Sequence, residues 1–100
     1  MRIVSGKFKG KKLFIPKDKK TRPLKDITKE SIFNLIIHSK KINFDFSNTY
    51  ILDLFAGSGS FGLECLSRGS GHVTFVENYE PAYKILKNNI SSLNIIDNYE

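Results

Sequence analysis

Residues 50–62 constrain the fold more than any other stretch of the chain. Tyr50-Ile-Leu-Asp-Leu-Phe55 runs straight into Ala56-Gly57-Ser58-Gly59-Ser60-Phe61-Gly62. A short apolar run bounded by a turn reads as a buried parallel-type strand, and only Asp53 interrupts this one. A helix predicted over Ser60–Arg68 opens on the glycines, with Phe61, Cys65 and Leu66 inward and Gly69 as its stop. G-x-G-x-x-G carries weight only between a strand and a helix, and that is where Gly57, Gly59 and Gly62 stand. His72–Val76 is a second buried strand ending in Glu77, and Pro81 suits the first turn of another helix built on Ala82, Ile85, Leu86 and Ile90. This β-α-β-α order opens a doubly wound α/β sheet, and a right-handed crossover makes the two strands parallel neighbours.

The remaining residues divide the chain in three. Over residues 1–25, Ile3, Val4, Phe8, Leu13, Phe14 and Ile15 alternate with lysines around Gly6 and Gly10, which predicts a β-hairpin with strands Arg2–Phe8 and Lys11–Pro16. So small a hairpin needs a larger body to dock on. Lys17–Arg22 is a charged loop, and Pro23 holds Arg22 extended. Residues 26–48 hold a helix over Ile27–Ser39, with Asp26 as its N-cap, and a polar connector over Lys40–Asn48. Ile32, Phe33, Ile36 and Ile37 form the apolar face of that helix, its lysine Lys29 and Glu30 lie on the surface, and Phe44 and Phe46 anchor the connector. Residues 49–100 are the sheet and its helices.

Charge follows the same division. Residues 1–50 carry thirteen Lys or Arg against Asp18, Asp26, Glu30 and Asp45, while residues 51–100 carry three bases against six acids. The net +6 is therefore a basic front and an acidic back. Ten of the bases fall within residues 1–25. A basic block interleaved with apolar residues is a footprint for a phosphate backbone, and Arg2, Lys7, Lys9, Lys11, Lys12 and Arg22 are its candidate nucleic-acid contacts. A solvated tail that keeps the chain soluble is the alternative.

Asp53 selects among nucleotide ligands. A dinucleotide site aims its turn and helix N-terminus at a pyrophosphate, which an acid just upstream repels. S-adenosylmethionine has no phosphate and carries an ammonium and a sulfonium, so a carboxylate at the turn favours it over NAD. Asp53 could equally bond nearby loop amides, and the two roles are compatible. Gly57 permits the tight turn, Gly59 the approach of a ligand and Gly62 the close contact of helix and strand. Glu77, twenty residues beyond Gly57, can accept hydrogen bonds from both ribose hydroxyls.

Asp53-Leu-Phe-Ala-Gly-Ser-Gly-Ser-Phe-Gly-Leu-Glu-Cys-Leu-Ser-Arg-Gly69, continuing to Phe75-Val-Glu77, resembles the bacterial RsmD family. So do Arg2-Ile-Val-Ser-Gly6, Gly10-Lys-Lys-Leu13, Thr21-Arg-Pro23 and Glu30-Ser-Ile-Phe-Asn34, in the same order and spacing. The resemblance covers Arg2 to about Asn94. It implies a Rossmann-like class I methyltransferase sheet, present only in its first β-α-β-α units, with an N-terminal β-hairpin extension. The implied activity is S-adenosylmethionine-dependent methylation of a guanine N2 in 16S ribosomal RNA. The implied cofactor residues are Asp53, Phe55, Ala56, Gly57, Ser58, Gly59, Glu77 and Asn78, the last beside the adenine. The implied RNA contacts are the basic hairpin and Arg22. Leu24 and Ile27 depart from the Thr and Arg usual at those positions. The family's Asn/Asp-Pro-Pro-aromatic motif, which positions the target amine, has no counterpart, because the prolines here are Pro16, Pro23 and Pro81. No catalytic residue is therefore assigned.

Other chemistries find little support. Cys65 is alone, so neither a disulfide framework nor a cysteine-based metal site is expected, and mid-helix it reads as a packing residue. His38 and His72 read as surface or capping residues, and Ser58 lies in no strained nucleophile elbow. No apolar run reaches membrane-spanning length and the N-terminus is too polar for a signal peptide, which points to the cytoplasm. The full-length protein is expected to be monomeric. Two other readings stand beside the methyltransferase: a non-catalytic RNA-binding remnant, and another nucleotide-binding α/β enzyme.

Overall fold

The computed structural model describes residues 1–15, 26–38, 46–54, 56–95 and 99. Helix α1 (Asp26–His38) and a single 3-10 turn (Phe46–Asn48) precede the alternating unit β1 (Tyr50–Leu54), α2 (Ser60–Ser67), β2 (His72–Val76) and α3 (Glu80–Ser92). The two strands are parallel and in register from Tyr50 opposite His72 to Leu54 opposite Val76. Both therefore end at one edge of the molecule, where the turn of residues 56–59 and Glu77 follow. Tyr99 makes a parallel bridge to Val73, which already pairs with Ile51 in β1, so Tyr99 lies on the opposite side of β2.

The helices begin and end for local reasons. Asp53 from β1 accepts a hydrogen bond from the Gly62 amide at 3.1 Å and so caps α2. The residue at the N-cap position itself, Gly59, has no side chain for that purpose. At the other end, the Ser70 amide donates to Cys65 O and the Gly69 amide to Leu66 O, a Schellman stop with Gly69 at φ 103°. Asn94 stops α3 in the same way at φ 57°, with Ile95 N–H on Ile90 O and the Ile95 side chain against the core.

Two clusters form the interior. Ile3 and Leu13 from the N-terminal segment share one with Leu63 of α2 and with Leu86, Ile90 and Leu93 around α3. Phe33, Cys65 and Val73 make the other, against Phe46, Ile51 and Phe61. The Phe33 ring stacks on Phe61 at 5.1 Å and meets Phe46 at 6.0 Å, which bears out Phe46 as an anchor. Phe44 lies outside the described residues.

Several expectations need correction. The hairpin ladder is shorter than predicted. It spans residues 1–3 against 11–13, through Ile3 N–H to Lys11 O, Gly10 N–H to Ile3 O and Leu13 N–H to Met1 O. Residues 5–10 are bend and turn because the Lys7 and Phe8 amides bond to Ser67 of α2 instead of to a partner strand. Asp26 is the first helical residue of α1, and its carboxylate accepts from the Arg2 amide at 3.3 Å. Ile37 is exposed, while Lys29, expected on the surface, is completely buried. Neither strand is buried throughout: Tyr50, Leu52 and Leu54 point from β1 into solvent, as does Val76 of β2, because the described elements cover only one face of this sheet.

Candidate cofactor-binding site

The turn between β1 and α2 carries the site. The Ala56 amide donates to Val76 O at 2.8 Å, extending the β1–β2 ladder by one rung, and Gly59 N–H closes the turn on Ala56 O at 2.9 Å. Glu77 stands directly after β2. Its Oε1 accepts from the Gly57 amide at 2.7 Å and its Oε2 from the Tyr79 amide at 2.9 Å. Each carboxylate oxygen keeps a second lone pair for a hydroxyl donor. Asn78 beside it is exposed.

Asp53 is half-buried at the end of β1. Burial pushes its pKa above the ordinary carboxylate value, and the negative charge of Glu77 pushes in the same direction, against the lowering effect of the Gly62 amide. The two acids thus share one field. That field would be relieved by a cation at the turn and worsened by a phosphate.

Two of the glycines serve packing more than ligand approach. Gly59 has φ 88°, in the left-handed region, and a Cβ there would collide with Leu86 Cδ1 of α3. A Cβ on Gly62 would collide with the Phe75 ring and stand 2.9 Å from Val73 Cγ1, so Gly62 sets how closely α2 lies on β2. Ser58 is also buried, its hydroxyl 3.9 Å from Met1 Sδ. Asp53, Ala56, Gly57 and Glu77 are partly accessible around the turn, whereas Ser58 and Gly59 form its packed rear. Phe55 lies outside the described residues.

The basic candidates lie apart from this turn in the sequence, and Arg2, Lys7, Lys9, Lys11 and Lys12 are all exposed. Lys7 Nζ sits 5.5 Å from the centre of the Phe8 ring. Arg22 lies outside the described residues. Among the described residues no cluster of His, Cys, Asp and Glu could hold a metal ion, and no helix is long and apolar enough to cross a membrane.

Three buried polar residues that the sequence reading passed over tie hairpin to turn. Lys29 Nζ lies 3.1 Å from Glu64 Oε1, with both side chains at 0% exposure, and it also donates to Arg2 O and Ser60 Oγ. Glu64 accepts from the Val4 and Ser5 amides and from Arg68 Nε, which lies 2.9 Å away. Burial alone would raise the Glu64 pKa, but the Val4 amide, Arg68 and Lys29 together hold it below the ordinary value. Asn89 of α3, likewise fully buried, accepts from the Phe14 amide at 2.7 Å and donates to Phe14 O and to Ser58 O. Two of the three had a faint sequence signal: Glu64 and Arg68 stand four apart on one helix, and Asn89 stands three residues after Leu86 on an inward stripe. Cys65 behaves as expected, since burial, with Asp53 and Glu64 nearby, pushes its thiol up to about 12.

The family described as "Conserved hypothetical protein 95" matches residues 1–100. The chain belongs to this, the RsmD family. YlbH of Bacillus subtilis is 42% identical over 95 residues, which are 95% of this chain and 48% of that protein. The "Ribosomal RNA small subunit methyltransferase D" of Haemophilus influenzae is 38% identical over 96 residues, covering 93% of this chain and 45% of its own length. Among solved structures, the yhhF protein of Escherichia coli superposes with a TM-score of 0.79 at 31% identity, across 100% of this chain and 50% of the other. The chain thus spans about half the length of the RsmD-family relatives it matches. The fold of its β1-α2-β2-α3 unit is the Rossmann-like α/β sheet of that family, in part.

Proposed function

We propose that the chain is the cofactor-holding part of an S-adenosylmethionine-dependent methyltransferase that acts on a guanine N2 of 16S ribosomal RNA. The observation that carries this reading is the pair Asp53 and Glu77, which flank the Gly57 turn, with the charge of Glu77 adding to the cost of ionising Asp53. A phosphate-bearing cofactor would meet repulsion there. A ligand with a cationic amino-acid end and a ribose meets an acid for each. Residues 49–100 hold this ligand, with Asp53 towards the cationic end, Glu77 towards the ribose hydroxyls, and Phe55, Ala56, Gly57, Ser58, Gly59 and Asn78 shaping the turn and the adenine side. When bound, S-adenosylmethionine supplies an electrophilic methyl group. The chain's own residues orient it and neutralise its ammonium, and they contribute positioning rather than a strong base.

Residues 1–25 are the RNA-facing part, where Arg2, Lys7, Lys9, Lys11, Lys12 and Arg22 bind phosphates, and residues 26–48 join the two. The name of the Haemophilus relative supports ribosomal RNA as the substrate class. A ribosomal substrate in turn supports a cytoplasmic protein.

Calorimetric titration of the chain with S-adenosylmethionine and, separately, with NAD tests the reading. Binding of S-adenosylmethionine and not NAD is expected. Asp53→Ala or Glu77→Ala should weaken it about 10-fold or more, as loss of a hydrogen bond to a charged group does. RNA affinity should hardly move. A preference for NAD, or no binding at millimolar S-adenosylmethionine, overturns it.

A further inference from the structure

Asn89 is far from any residue assigned to cofactor or RNA in sequence, yet it is the buried junction between the two. Its side-chain amide pairs with the backbone of Phe14 as another peptide would. Oδ1 accepts from the Phe14 amide at 2.7 Å, and Nδ2 donates to Phe14 O at 2.9 Å. The second Nδ2 hydrogen reaches Ser58 O at 2.8 Å, within the turn that follows β1. Three of the four hydrogen bonds an asparagine side chain can make are therefore spent on fixing two backbone segments to one helix. The residue is 0% exposed, so none of these partners is replaced by water while the hairpin stays docked.

The hairpin side and the turn side of this junction meet again nearby. Met1 Sδ contacts the Ser58 hydroxyl at 3.9 Å, and Lys29 links Arg2 O to Ser60 Oγ. Ser58 and Ser60 stand on either side of Gly59, so one tie ends on the turn and the other on the first residue of α2. If the hairpin lifts away, Asn89 loses two of its partners and Ser58 loses the Met1 contact. Of the ties that reach Ser58 from Asn89 and the hairpin, only the Asn89 bond to Ser58 O then remains. Lifting exchanges these bonds for water and exposes Ile3 and Leu13 as well, which makes the docked and lifted arrangements two distinct states.

We propose that Asn89 is a positioning residue that couples the two binding surfaces, so that RNA bound on the hairpin tightens S-adenosylmethionine at the turn and the reverse. This rests on the reading given under Proposed function. RNA favours the docked hairpin because its lysines then present one fixed array. S-adenosylmethionine favours it because the Ser58 peptide is then held in place. Two ligands that prefer the same state strengthen each other by one common factor.

The test is a thermodynamic cycle on the full chain. S-adenosylmethionine affinity is measured calorimetrically with and without a saturating short RNA stem-loop carrying an unpaired guanine. RNA affinity is then measured with and without saturating S-adenosylmethionine. A gain of about 5-fold or more, equal in both directions, is expected for the unaltered chain. In Asn89→Ala the factor should fall to about one while each ligand still binds by itself. Should that variant not fold, Asn89→Ser keeps a small polar group in the buried position and should lower the factor without abolishing either binding. A factor of one in the unaltered chain, with both ligands bound, overturns the coupling and leaves the proposed function standing. An undiminished factor in the folded variants overturns the role of Asn89. Failure of the unaltered chain to bind S-adenosylmethionine at all overturns the proposed function and this inference with it.

Discussion

Single atoms decide much at the turn. Gly62 could not be exchanged even for alanine without moving both the Phe75 ring and the Val73 methyl. Overpacking of this kind costs about 1–3 kcal/mol, so Gly62→Ala should lower the midpoint of urea unfolding accordingly. Asp53 offers a pH signature. Its pKa is raised in the free protein, by burial and then by Glu77, and a bound cation would favour the ionised form. S-adenosylmethionine should therefore bind best with Asp53 deprotonated. Affinity should fall as pH drops through this raised pKa, and Asp53→Asn should flatten that limb in a calorimetric pH series. Gly59 illustrates what spacing conceals: the G-x-G-x-x-G pattern marks the position, but the collision with Leu86 that excludes a side chain comes from α3, 27 residues on.

Between elements, the buried Lys29–Glu64 pair holds α1, α2 and the N-terminal segment together. Helical spacing placed Phe33 inward correctly, but it also treated Lys29, the lysine of α1, as a surface group. A periodicity argument sees one helix at a time and cannot know that Glu64 of another helix will supply the counter-charge. Removing one partner of such a pair strands the other, at a cost of about 3–5 kcal/mol, and Lys29→Met should show a loss of that size in chemical denaturation. The acid side follows from Glu64. Its folded pKa is depressed, so its contribution is complete above the unfolded value and is lost as pH falls through the folded one. The unaltered chain should lose stability on acidification more steeply than Glu64→Gln, whose starting stability is lower. Helix ends were more legible. Gly69 was identifiable as a stop because the left-handed position of a Schellman motif favours glycine for purely local reasons.

Over the whole molecule, the division of charge in the sequence became a division of surface, with Lys7, Lys9, Lys11 and Lys12 exposed on the hairpin and the two acids at the turn. Reversing those four charges should weaken RNA binding and lower the slope of log affinity against log salt by at least about 3, since each phosphate contact contributes about 0.7–0.9. S-adenosylmethionine affinity without RNA should be much less affected. The strands give a complementary test. Leu52 reads as core in the sequence but is 61% exposed, so Leu52→Lys should shift stability by no more than about 0.5 kcal/mol, whereas Leu63→Lys should unfold the chain. By itself the sequence determined the β-α-β-α order, the turn, its two acids and the family, because each depends on spacing along a few consecutive residues. Only the tertiary structure decided that β1 is open on one face, that Lys29 and Glu64 are buried together, and that Asn89 joins Phe14 to Ser58. Those outcomes pair groups 31 to 75 residues apart, and such partners are chosen by how layers stack, which no local pattern records.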